Sequence, residues 1–152
     1  IYFGGNNKNR DDKFKAYKIN ESPKIFSRYK LYETGKDTRV SHIDYLKELA
    51  KFTYSLVICR KDYREIGWLT SRYFEAIALD NIPLIDMEYD VGEYLISRQN
   101  ILRVHDYESL MEVQKDLHHN PHMAKHILIR HKQNVENRLD RFRCLVEKII
   151  NR

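Results

Sequence analysis

The stretch YSLVICRKDYREIGWLTSRYFEAIALDNIPLIDM, residues 54–87, carries the pattern that decides the fold. Tyr54 to Cys59 is an uninterrupted run of strand length, as expected of a strand buried on both faces of a parallel sheet. Lys61 to Leu69 reads as a polar loop. Thr70 caps a helix through Leu79, Asn81 stands where a left-handed C-cap is expected, and Pro83 cannot extend a helix. Ile82 to Met87 is then the next strand.

The same alternation continues outward. Upstream, Ser41 is a suitable N-cap, and Ile43, Leu46, Leu49 and Ala50 follow it at helical spacing. At the start of the chain, Ile1-Tyr2-Phe3 reads as a strand that stops at Gly4-Gly5. A helix is expected from about Asp11, with Asp11 and Asp12 at its positive end and Pro23 bounding it. Lys24 to Tyr29 is a further strand, and Tyr32 to Gly35 a short strand or turn. Downstream, Ile101 to Val104 is a strand, followed by helices from about Asp106 to His118 and from about Pro121 to the end. Strands alternating with helices give an α/β domain with a mainly parallel sheet. There is no internal repeat and no low-complexity segment.

The chain has 152 residues, a length suited to one domain with a proper core. It opens inside an expected strand and without an initiator Met, which points to a fragment of a longer protein. Apolar residues make up 42% and charged residues 32%, and no apolar run approaches the ~20 residues that span a bilayer. No membrane partner is expected. The formal charge of +5, from 27 Lys and Arg against 22 Asp and Glu, mildly favours polyanions such as nucleotide phosphates or nucleic acid. Cys59 and Cys144 stand far apart in no metal-ligand spacing and suit a reducing cytoplasm.

In open α/β sheets, ligands bind beyond the carboxyl ends of the strands. Three segments are expected there. In Gly4-Gly5-Asn6-Asn7-Lys8-Asn9-Arg10, glycines permit close approach to a phosphate while Lys8 and Arg10 supply charge; a plain glycine turn fits the same residues. In Thr70-Ser71-Arg72-Tyr73-Phe74-Glu75, Arg72 and Glu75 share one helix face near its positive end. Arg72 can grip a diphosphate and Glu75 can accept two ribose hydroxyls, or the two form a solvated intrahelical ion pair. Arg60-Lys61-Asp62-Tyr63 follows the buried strand and can line a cleft or serve as an ordinary polar loop. Together these residues imply a domain that binds a phosphate-bearing nucleotide. Six of the seven histidines lie between His105 and His131, and His122 and His126 are one helical turn apart. No further ligand joins that face, so the histidines are read as surface or packing residues and no metal site is expected. The aromatic residues are read mostly as core.

The segment from Arg72 to Ile85, an Arg-x-x-Glu helix followed by a turn and an apolar strand, resembles the donor-site signature of GT-B glycosyltransferases. More narrowly, the chain resembles the C-terminal half of the DNA β-glucosyltransferases of T-even phages. Ile1 to Lys13 is similar to their first strand and phosphate loop, two residues shorter when Arg10 is aligned with their second basic residue. Thr34-Gly35-Lys36, Tyr54 to Tyr63 and Leu69 to Asp90 carry the rest of the match.

The resemblance implies a Rossmann-like sheet with long C-terminal helices and a UDP-sugar donor, UDP-glucose above others. Arg72, Lys8 and Arg10 would neutralise the diphosphate, Glu75 would hold the ribose, backbone near Val40 would meet the uracil, and Gly5 and Asn6 would approach the phosphates. Lys8 replaces an Arg, which exchanges a bidentate grip for a point charge. Arg60 stands where the family has an acidic residue near the sugar, a departure that bears on sugar identity and on any divalent metal. The implied reaction is inverting displacement at the anomeric carbon, with hydroxymethylated pyrimidines in phage DNA as acceptor and an infected cell's cytoplasm as setting. The family's general base and most of its DNA surface lie in an N-terminal domain that this sequence lacks, so UDP binding without efficient transfer is expected of this chain alone.

Other classes fit the same residues. A GT-B enzyme with a glycan, lipid or protein acceptor keeps the same donor site. A non-catalytic module recognising nucleic acid or a protein partner would show salt-dependent DNA affinity. A receiver-like domain fits the alternation but would require acidic residues after the first strand, where Ile1-Tyr2-Phe3 runs into glycines.

Overall fold

Residues 11–19, 21, 41–58, 61–65, 70–88 and 102–150 are described by a computed structural model. Their elements are α1 (Asp11–Ala16), α2 (His42–Leu49), β1 (Tyr54–Val57), α3 (Lys61–Glu65), α4 (Ser71–Ala78), β2 (Ile82–Asp86), β3 (Arg103–Val104), α5 (Tyr107–His119) and α6 (Pro121–Ile150). The three strands form a parallel sheet in the order β1-β2-β3. The α/β class expected from the alternation of apolar runs and helices is therefore present. The strands expected at 1–3, 24–29 and 32–35 lie outside the described residues.

β2 is buried along its whole length, so each of its faces needs a cover. Side-chain alternation divides the two covers. On one face Leu56, Ile82, Leu84 and Val104 pack with Phe14 of α1 and Tyr17 just after it, Leu110 and Leu117 of α5 and Ile127 of α6. On the other, Val57 and Ile85 pack with Tyr73 and Ile77 of α4 and with Val135 of α6. Fully burying one such aliphatic side chain is worth about 1.5–3 kcal/mol, so the two-sided burial of β2 is the main local driving force. α6 contributes to both clusters, while further along the same helix Leu139 and Phe142 are exposed. Among the described residues, no helix is long and apolar enough to cross a membrane.

A proline in the central strand fits for a geometric reason. The Ile82 N–H donates to Thr53 O at 2.8 Å, so Ile82 faces β1 and the next residue, Pro83, faces the opposite side. There, among the described residues, pairing with β3 begins at Ile85, and Pro83 removes no described ladder bond.

Several boundaries differ from expectation, each for a local reason. The first helix ends at Ala16 and does not reach Pro23, because Lys18 turns left-handed (φ 50°) and sends Ile19 into the core, its N–H on Phe14 O. Residues 61–65, expected in a polar loop, form the short helix α3; five residues offer too little apolar periodicity to announce a helix. At the end of α4 the left-handed residue is Asp80 (φ 62°), one before the expected Asn81. The Asn81 N–H returns to Ala76 O at 2.8 Å, and its buried side chain donates to Leu49 O and Leu79 O. Asn81 thus fastens the end of α2 to the end of α4. Within α2, Tyr45 and Leu49 are the buried pair, and Ile43 is exposed on another side. α5 starts at a reciprocal cap in which Asp106 accepts from the Ser109 N–H and the Asp106 N–H donates to Ser109 Oγ.

His131 joins α6 to α4 beneath the second cluster. Its Nδ1 lies 2.7 Å from the Tyr73 hydroxyl, both residues are 1% exposed, and no described group bonds its Nε2. Burial disfavours the imidazolium and pushes the His131 pKa down to about 4. An unfolded chain protonates the same ring near its ordinary value, so the stabilisation is complete above about pH 6.5 and declines as pH falls towards 4. Urea unfolding at pH 4.5 should show about 2–3 kcal/mol lost from this group relative to pH 7.5. The His131→Leu protein should show a correspondingly smaller loss; an equal loss in both would contradict the buried neutral state.

Candidate functional site at the carboxyl edge

β1 runs towards the carboxyl edge of the sheet, α4 returns from that edge, and β2 runs to it again, so the first turn of α4 lies at the edge. α2 precedes β1 and, like α4, ends near Asn81 at the opposite edge, which places both helix starts together on the carboxyl side. The N–H groups of a helix's first turn have no partner within the helix and carry partial positive charge, so paired helix starts favour an anion. Ser41 caps α2 by accepting from the Asp44 N–H at 3.1 Å. Thr70 occupies the N-cap of α4 with an extended backbone and makes no side-chain cap bond.

Arg72 and Glu75, expected on one face of this helix, are together. Arg72 Nη1 lies 3.3 Å from Glu75 Oε2, with the arginine side chain 42% exposed and the glutamate 16%. A third member comes from α2. The Tyr45 hydroxyl donates to Glu75 Oε2 at 2.6 Å, and the Arg72 guanidinium carbon lies 4.5 Å from the centre of the Tyr45 ring. His42 stands one turn before Tyr45, their rings 5.7 Å apart. Burial, reinforced by the bond to Glu75, pushes the Tyr45 pKa up to about 12, so the hydroxyl keeps its proton at neutral pH and remains a donor. The group therefore has more structure than a solvated i,i+3 ion pair: a half-exposed guanidinium over an aromatic ring, and a mostly buried carboxylate held by a phenol. It presents cation donors and carboxylate acceptors a few ångströms apart, a combination suited to a ligand that carries both anionic groups and hydroxyls.

Of the remaining expected site residues, Tyr63 is half-buried on α3 and packs against the cluster of Val57, Tyr73, Ile77 and Ile85. Gly5, Asn6, Lys8, Arg10, Val40 and Arg60 lie outside the described residues. His122 and His126 are exposed on α6, and no group of three or more His, Cys, Asp or Glu positioned for a metal ion occurs among the described residues.

A second polar group occupies the same edge and was not foreseen. Asp86, 1% exposed at the end of β2, accepts from the Tyr17 hydroxyl at 2.7 Å and from the Glu88 N–H at 3.0 Å, and it lies 3.2 Å from Lys13 Nζ. Lys13 also reaches Glu88 at 2.8 Å, and the Tyr17 hydroxyl lies 2.7 Å from Val104 O. Burial, followed by the neighbouring Asp86 charge, pushes the Tyr17 hydroxyl's pKa well up. The group ties α1 to the ends of β2 and β3. The only sequence sign was an acidic residue ending an otherwise apolar run, which does not name its partners. Comparisons with protein-family models, curated proteins and solved structures gave no match.

Removing one partner of a buried ion pair strands the other charge, at a cost of about 3–5 kcal/mol, whereas replacing both by apolar groups often costs little. Lys13→Met should therefore lower urea-unfolding stability by about 3 kcal/mol, and adding Asp86→Leu should restore a large part of it. Additive losses in the double variant would show that the pair is not coupled.

Proposed function

We propose that this chain is the donor-binding domain of a GT-B glycosyltransferase, holding a UDP-sugar, with UDP-glucose the leading candidate. The observation that carries the reading is the Arg72–Glu75 pair on the first turns of α4, at the carboxyl edge of a parallel sheet and beside the start of α2. That is where an open α/β sheet presents ligands. A diphosphate would find the Arg72 guanidinium and two positive helix ends, and the ribose would offer its hydroxyls to Glu75. In this reading Lys8 and Arg10 add charge to the diphosphate, Gly5 and Asn6 approach it, backbone near Val40 meets the uracil, and Arg60 and Tyr63 flank the sugar.

The chemistry would be inverting displacement at the anomeric carbon. The departing diphosphate gains negative charge as the glycosidic bond breaks, and a fixed cation stabilises that charge more in the transition state than in the ground state. In this reading Arg72 takes that role. The acceptor class, hydroxymethylated pyrimidines of phage DNA, rests on the resemblance of the segment from Leu69 to Asp90 and on the net charge of +5.

Calorimetric titration with UDP tests the reading. The unsubstituted chain should bind saturably, and Arg72→Ala and Glu75→Ala should each weaken binding by about tenfold or more, as expected for loss of a charged hydrogen-bonding partner. Folded protein that does not bind UDP, or binds it equally well with both substitutions, would sink the assignment.

A further inference from the structure

The phenol of Tyr45 crosses from α2 to α4 and meets both members of the donor pair at once. Its hydroxyl lies on Glu75 Oε2, and its ring lies beneath the Arg72 guanidinium. Tyr45 is 4% exposed, so its packing on Leu49 and the neighbouring Leu46, Phe52 and Leu79 fixes the ring's place. The Tyr45 hydroxyl and Arg72 Nη1 converge on the same oxygen, Oε2, and no described group hydrogen-bonds Oε1 of Glu75. The carboxylate is therefore held by one side, with its second oxygen left to accept.

We propose that Tyr45 is a positioning residue that confers ribose selectivity on this site: its hydroxyl fixes the Glu75 carboxylate at Oε2 so that the open oxygen, Oε1, meets the ribose 2′-hydroxyl, while its ring supports Arg72 over the diphosphate. The inference rests on the UDP-sugar reading above. A glutamate with free side-chain rotation can also accept from a diol, but it must be ordered on binding; a carboxylate already fastened at Oε2 avoids that ordering. The cation–ring contact acts separately, on the guanidinium alone. The two functions of Tyr45 therefore separate by substitution. Tyr45→Phe keeps the ring and removes the hydroxyl, and Tyr45→Leu removes both.

The test is calorimetric titration of UDP and of 2′-deoxy-UDP into the unsubstituted chain and both variants, with folding checked by circular dichroism. The unsubstituted chain should prefer UDP by about tenfold, the size expected for a hydrogen bond to a charged group. In Tyr45→Phe, UDP should weaken by about five- to tenfold while 2′-deoxy-UDP changes by less than about twofold, so the preference collapses. In Tyr45→Leu, 2′-deoxy-UDP should weaken as well, by about threefold, because Arg72 loses its support. Equal weakening of both nucleotides in Tyr45→Phe, or an unchanged preference, would overturn the positioning role and leave the donor site standing. Absence of UDP binding in the unsubstituted chain would overturn the donor-site reading and this inference with it.

Discussion

A strand with no solvent face is the constraint on which the other elements depend. Every residue of β2 from Ile82 to Asp86 is buried, so helices are required on both sides of a sheet that shows only three strands among its described residues. α1 and α5 cover one face, α4 covers the other, and α6 adds Ile127 to the first cluster and Val135 to the second. Ending that strand in a carboxylate imposes a further demand. Asp86 has to be neutralised inside the protein, and Lys13 and Tyr17, one turn apart on or just beyond α1, supply the charge and the hydrogen bond. The placement of α1 thus follows from the chemistry of one buried oxygen pair as much as from its apolar side chains.

The carboxyl edge of the same architecture is where we propose the donor site. Strands that are parallel and joined through α4 put helix starts, the positive ends of the helix dipoles, at one edge. Glu75 is mostly buried there, yet its carboxylate is held by Tyr45 and Arg72 through one oxygen. A carboxylate this buried needs hydrogen-bond partners, and the Tyr45 phenol supplies one that also sets the carboxylate's geometry before any ligand arrives.

The fold was legible where chemistry is local. The apolar run at Tyr54, the capping serine at 41 and the Pro83 boundary gave strand, helix and strand to within a few residues. Backbone geometry was less legible: Asp80, not Asn81, takes the left-handed turn, because Asn81 is needed between Leu49 O and Leu79 O. Arg72 and Glu75 could be paired from a spacing of three. Tyr45 could not, since it stands thirty residues from Glu75 on another helix, where the expected apolar spacing runs through Ile43, Leu46, Leu49 and Ala50. Lys13 and Asp86 were invisible for the same reason: a buried charge announces a partner without naming it.

Amide hydrogen exchange, followed by mass spectrometry with and without saturating UDP-glucose, tests the central claim most directly. The account predicts slowed exchange concentrated at the starts of α2 and α4, over residues 41–46 and 70–76, with the middle of α5 unchanged. Saturating UDP-glucose that leaves both helix starts exchanging as in the free protein, or that protects only the far part of α6, would contradict it.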